Sequence, residues 1–227
     1  MNRDSRNILI IIIILTVFKG LFSAPLYLLD DEAYYWVWSK NLSLSYFDHP
    51  PMIALLIRLS TILFGESAFG IRALGAILTS VSIWLGLDLI YRIYQDRKAL
   101  WHGLVLYSLA IPFFAAGTII TPDTPMMFFI TLALWAFYRA VFESENRYWW
   151  ISGIAFGLAL LSKYTAILWL GSVFLVLVID PRLRSHLRQP VPWLAGLLAV
   201  ALFLPVLYWN AAHDWVSFKF QFAHGLQ

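Results

Sequence analysis

The chain has 227 residues, of which 61% are hydrophobic and 13% charged, against about 45–50% and about 25% in a soluble domain; this excludes an ordinary soluble domain and a disordered chain. The absence of cysteine excludes disulfides, thiolate metal sites and a cysteine nucleophile. The formal charge of +3 is spread over separate loops and forms no basic stripe, so nucleic acid is not a partner.

In chain order, Arg3 and Arg6 precede the apolar stretch 8–29. It resumes past Lys19-Gly20 with no cleavage signature, so it is read as an uncleaved first span. Residues 30–67 then form a polar and aromatic outer loop. Within it, 31–42 carries Asp31, Tyr34, Tyr35 and Trp38 at helical spacing, and 51–64 is apolar but short and contains Arg58. Both predict helices lying at the membrane interface. Further spans are predicted over 68–91, 101–120, 126–142 and 191–210. The run 148–179 has 32 residues, about 48 Å of helix against a hydrocarbon core of about 30 Å. Ser162-Lys163-Tyr164-Thr165 interrupts it, so it is split there into two short spans.

The expected architecture is all-α: a single polytopic membrane domain over 1–227, of about seven transmembrane helices plus two interfacial helices in the 30–67 loop. This topology, N-terminus inside and C-terminus outside, puts ten of the 16 Lys and Arg in cytoplasmic segments, as the positive-inside rule requires. Leaving 148–179 unsplit would put Arg182, Arg184 and Arg188 outside. The chain ends just after an outer segment and is read as the N-terminal part of a longer protein. Lys19, alone in the first span, is expected to face the bundle interior.

The acidic residues carry most of the remaining information. Asp30, Asp31, Glu32, Asp48, Asp123 and Asp214 all fall on the outer side, with His49, His213, His224 and Lys163. Charge at membrane depth is costly, and its gathering on one face points to a site. Each motif also has an ordinary structural reading. Asp30 can cap the 31–42 helix, and Asp123 can cap the 126–142 span. Pro50-Pro51 can start a helix. Lys163 can snorkel to the interface, or face a phosphate as a point charge. A carboxylate at a helix N-terminus stays ionised, as a general base must.

Taken in order, five segments resemble the GT-C class of membrane glycosyltransferases. They are Asp31-Glu32-Ala33-Tyr34-Tyr35, Tyr46-Phe47-Asp48-His49-Pro50-Pro51, Thr121-Pro122-Asp123-Thr124-Pro125, Leu161-Ser162-Lys163-Tyr164-Thr165, and the stretch from Trp215 to His224. The resemblance is to the bacterial relatives of protein O-mannosyltransferases and of the lipid A aminoarabinose and galacturonic acid transferases, glycosyltransferase family 39 and its neighbours. It implies a sugar donor on polyprenyl phosphate, a lipid, glycan or protein hydroxyl as acceptor, and inversion at the anomeric carbon. It implies a multi-pass protein of the bacterial inner membrane, with the active site facing the periplasm or exterior. By that resemblance Asp31, Asp123 and Glu32 are the expected catalytic residues. Lys163, Tyr34, Tyr35, Arg58 and His49 are the expected substrate contacts, with lysine found in relatives where His49 stands. Asp48 and His224 are the expected ligands of a divalent metal (Mg, Mn or Zn), and no organic cofactor is expected. The alternatives are a transporter or flippase of a lipid-linked or small polar substrate, and an assembly protein without chemistry. Against the transporter stands the clustering of acids at one face, with no visible repeat of two related halves.

Overall fold

The computed structural model describes residues 3–110, 115 and 117–225, with the side chains of Arg3, His224 and Gly225 outside that description. The described residues form helices and no strand. In chain order these are α1 (Arg3–Ser23), α2 (Asp30–Lys40), α3 (Met52–Phe64), α4 (Ala68–Tyr94), α5 (Arg97–Leu109), α6 (Asp123–Phe142), α7 (Arg147–Leu160), α8 (Ile167–Ile179), α9 (Pro190–Ala212) and α10 (Val216–Gly225). Short 3₁₀ turns occupy Tyr164–Ala166 and Arg184–Arg188.

Among the described residues, four helices, α1, α4, α6 and α9, are long and apolar enough to cross a membrane. Helices are present at both positions expected to lie at the interface, as α2 and α3. The run 148–179 is broken where its length and polarity demanded: α7 stops at Leu160, and α8 starts at Ile167 after the 3₁₀ turn. The expected span 101–120 is only partly helical among the described residues: α5 ends at Leu109, Ala110 is extended and 117–120 are not helical, while positions 111–114 and 116 lie outside the described residues.

The end of the first span also differs from expectation. The first span was predicted over 8–29, but α1 ends at Ser23. Pro25 disfavours helical backbone at Ala24. The carbonyls of Ser23, Leu26 and Tyr27 then turn away from the helix to meet the Arg72 guanidinium. A further difference is at α2, where Leu29 rather than Asp30 occupies the N-cap.

The chain divides into two compact units. The first comprises Met1–Asn41 and Ile53–Thr131. In it α1, α4 and α5 pack through Ile8, Ile12, Ile83, Leu87, Leu100 and Leu104. The α3–α4 corner needs its glycines. Gly65 has φ +85°, in the left-handed region, and a Cβ on Gly70 would fall 1.8 Å from the Gly65 carbonyl oxygen. Ser67 caps α4 by accepting from Gly70 N at 3.1 Å. Lys19 is buried in α1 and lies along Gly117.

The second unit comprises Leu42–Met52 and Leu132–Gln227. Its core joins Phe137, Val141, Trp149, Leu177, Leu183 and Ala195. Helices α7 and α9 approach closely over small residues: a Cβ on Gly153 would lie 2.3 Å from Ala195 O, and one on Gly157 3.1 Å from Ala199 Cα. The α6–α7 turn is clamped by Arg139, which pairs with Glu143 and Glu145 and stacks 3.9 Å above the Tyr148 ring.

Candidate functional site

In the first unit the acidic motif splits into two environments. Asp31 is exposed on the first turn of α2, while Glu32 is fully buried. Glu32 Oε1 accepts from Arg72 Nε at 2.8 Å and from Ile120 N at 2.9 Å. Its Oε2 accepts from Arg72 Nη2 at 2.5 Å and from Leu29 N at 3.1 Å. The other guanidinium donors go to Ser23 O at 2.6 Å, Leu26 O at 3.1 Å and Tyr27 O at 2.9 Å. All five N–H donors of Arg72 and all four acceptor positions of Glu32 are therefore used. A buried ion pair survives its desolvation cost when it is satisfied in this way.

This pair has a positional consequence. Its bond to Ile120 N ties α2 to the segment that leads into Asp123, the first residue of α6. That segment is further fixed by Thr121 N donating to Thr124 Oγ1 at 3.4 Å and by a turn from Thr124 N to Thr121 O at 2.9 Å. Ile120, Thr124 and Pro125 are fully buried, and Asp123 between them is half-buried. The same anchor thus holds the elements carrying both Asp31 and Asp123. Arg72 was not among the expected site residues. The signal that would have found it is a lone arginine inside the apolar stretch 68–91, since charge at that depth calls for a buried partner.

The aromatic pair also divides. Tyr34 is exposed, with its ring 4.5 Å from Trp38, while Tyr35 is buried with its ring 5.2 Å from Trp38. Arg58 is exposed on α3. Glu66 forms an ion pair with Lys40. That bond, then the charge of Lys40 and more weakly that of Arg58, holds the Glu66 carboxyl below its ordinary range.

The second unit gathers the other three motifs. The loop 42–52 turns through a bond from Tyr46 N to His49 O at 3.1 Å, leaving Asp48 and His49 half-buried. It is fastened to the α7–α8 break, where Lys163 is half-buried: Met52 N donates to Leu161 O at 3.0 Å, and Ser45 Oγ lies 3.2 Å from the Tyr164 hydroxyl. It is also fastened to α10. Ser217 Oγ donates to Tyr46 O and Gln221 Nε2 to Asp48 O, both at 2.7 Å, and the rings of Phe47 and Phe220 lie 5.0 Å apart. Helix α10 is in turn set by buried Asn210, whose Oδ1 accepts from Ser217 N at 3.2 Å, across a turn in which Asp214 and Trp215 both have positive φ. Gln221, which sequence reading passed over, carries the tie between Asp48 and this helix.

Two ligands were expected for a metal, Asp48 and His224. Gln221, bonded to Asp48 O, stands three residues before His224 in the α10 sequence. The His224 side chain lies outside the described residues. Among the described residues no three His, Asp or Glu side chains converge, whereas protein sites for these ions use three or more ligands. The described residues thus do not assemble a complete donor set.

The chain is similar in sequence and fold to proteins named as sugar transferases. Residues 48–209 match the family model for dolichyl-phosphate-mannose-protein mannosyltransferase. The lipid A galacturonosyltransferase RgtD of Rhizobium johnstonii is 32% identical over 186 residues, covering 81% of this chain and 38% of that protein. The undecaprenyl phosphate-alpha-4-amino-4-deoxy-L-arabinose arabinosyl transferase of Pseudomonas savastanoi pv. phaseolicola is 30% identical over 175 residues, covering 75% of this chain and 32% of that protein. The crystal structure of ArnT from Cupriavidus metallidurans in the apo state superposes with a TM-score of 0.72 at 18% identity, over 95% of this chain and 44% of that one. The S. cerevisiae protein O-mannosyltransferase Pmt1-Pmt2 complex bound to the sugar donor gives 0.62 at 18% identity, over 96% and 34%. The chain thus spans about a third of the length of these curated relatives.

Proposed function

The chain belongs to the dolichyl-phosphate-mannose-protein mannosyltransferase family and is an integral membrane protein with the GT-C fold; from that membership we propose that the protein transfers a sugar from polyprenyl phosphate to a hydroxyl of a lipid, glycan or protein. The transfer takes place on the outer side of the bacterial inner membrane, with the N-terminus in the cytoplasm. The relatives compared above are named as transferases, which favours this reading over a transporter. Lipid A is the acceptor that the name of the galacturonosyltransferase suggests.

The observation that carries the chemistry is the division of labour within Asp31-Glu32. Glu32, with every acceptor position occupied by Arg72, Leu29 and Ile120, has none left for a substrate. We assign it to positioning. Asp31, exposed beside it at a helix N-terminus, is the general base. The acceptor hydroxyl loses its proton to the Asp31 carboxylate as its oxygen bonds to the anomeric carbon. The bond from that carbon to the lipid-phosphate oxygen breaks from the opposite face, which inverts the centre. The departing phosphate is a weak base and needs no proton. It needs its growing charge met, a role for Lys163 and Arg58, with His49 and Tyr34 as further donor contacts. Asp123 orients the acceptor. Tyr35, buried against Trp38, supports the face that Tyr34 presents. Asp48 and His224 are the residues that would meet a divalent cation. Such an ion would stabilise phosphate charge when bound.

Asp31→Asn in the full-length protein keeps the size of the side chain but removes the base. Sugar transfer from labelled polyprenyl-phosphate donors in membranes is expected to fall about 10²–10⁴-fold. Unchanged turnover would refute the assignment.

A further inference from the structure

An apolar groove of about 440 Å³ runs between α8 and α9 in the second unit, floored by Trp149 and Phe156 of α7. Two of its lining residues are Gly171 and Gly196, and a Cβ on either would meet nothing within 4 Å. This contrasts with Gly153 and Gly157, whose Cβ positions are filled by α9. The groove is therefore a recess with an open side, rimmed by exposed Phe174, Trp193 and Leu197.

Its length and its ends identify an occupant. The lining on α8 extends from Ile167 to Leu177, eleven residues or about 16 Å of helix, about half of a hydrocarbon core of about 30 Å. That is the depth of one leaflet. At the Leu177 end the lining continues into Leu187, Pro192 and Trp193, and the adjoining segment is basic. Arg182 is paired with Asp180. Arg184 spends its guanidinium on the last carbonyls of α8, Val178 O at 2.7 Å and Ile179 O at 3.4 Å. Arg188 is exposed and meets no carboxylate among the described residues. On the same side of this unit, Arg139 and Arg147 face Glu143 and Glu145. Five arginines thus stand against three carboxylates. At the other end the lining stops at Ile167 and does not include Lys163.

We propose that this groove holds one acyl chain of an anionic glycerophospholipid whose phosphate sits at Arg188 and the exposed edge of Arg184. The apolar recess supplies affinity for the chain, and the arginine end selects the charge of the head. This site does not depend on the transferase reading.

The test measures phospholipid retained by the full-length protein, purified in mild detergent and offered palmitoyl-oleoyl phosphatidylglycerol or the matching phosphatidylcholine, by native mass spectrometry. The wild type is expected to keep one phosphatidylglycerol, about fivefold more tightly than phosphatidylcholine, the effect of one arginine beside an anionic head. Gly196→Leu fills the open recess and should abolish retention of both lipids. Arg188→Gln should keep the chain site and bring the two lipids to equal retention. Circular dichroism of each variant checks that it is folded, and Gly171→Leu serves as the second groove-filling variant if Gly196→Leu is not. Equal retention of both lipids by the wild type, or phosphatidylglycerol retained undiminished by a folded groove-filling variant, overturns the proposal. So does displacement of the bound lipid by undecaprenyl phosphate alone, which would give the groove to a polyprenyl chain. A groove-filling variant that unfolds the protein at both positions does the same, since it would mean that protein already fills the space.

Discussion

At the residue scale, the decisive pair is Glu32 and Arg72. Both are buried, and every donor and acceptor in the pair is used. Removing one member strands the other charge in a buried site. Glu32→Gln is therefore expected to destabilise the protein by about 3–5 kcal/mol. Replacing both, as Glu32→Gln with Arg72→Met, should restore much of that loss, because the stranded charge is gone. Thermal unfolding of the two single variants and the double variant measures the coupling; additive losses would show that the pair is not a unit. The neighbouring Asp31→Asn should leave stability nearly unchanged, since Asp31 is exposed.

Among the elements, the α6–α7 turn offers a titratable test. Bonds from Arg139 first, and then Arg147, hold the Glu145 carboxyl below its ordinary range. A depressed folded value means that the stabilisation is complete above the unfolded value, about 4.3. It is lost as pH falls through the folded one. Glu145→Gln should thus lower the unfolding temperature at pH 7, and the gap from wild type should close as pH drops below about 4. A gap independent of pH would mean that Glu145 acts through shape alone. The α7–α8 break is the other informative element. Lys163 is extended between two helical turns, and its break receives the 42–52 loop through Met52 N and Ser45. The interruption thereby positions a second motif.

For the whole molecule, the distribution of arginines sets the expected orientation. The cysteine-free sequence makes this directly measurable. Single-cysteine variants Ser185→Cys and Asp214→Cys place a thiol at exposed positions on the two expected sides. An impermeant maleimide added to spheroplasts should label the second and not the first; the reverse pattern would invert the topology. The sequence by itself determined the helical membrane class, the two short helices after the first span, the division of 148–179, and the ordered motifs that mark the family. These are local properties: run length against bilayer thickness, side-chain charge, and residue order along the chain. Only the tertiary structure decided which carboxylate of Asp31-Glu32 is spent on the fold, because that depended on Arg72, forty positions away in sequence, and on the backbone N–H of Ile120. It also decided that α1 ends at Ser23, that Tyr35 is buried while Tyr34 is exposed, and that Gln221 ties the Asp48 loop to α10. The ties made by Arg72 and Gln221 have partners distant in sequence, and the length, hydropathy and spacing of a segment carry no record of what it will meet when the chain folds.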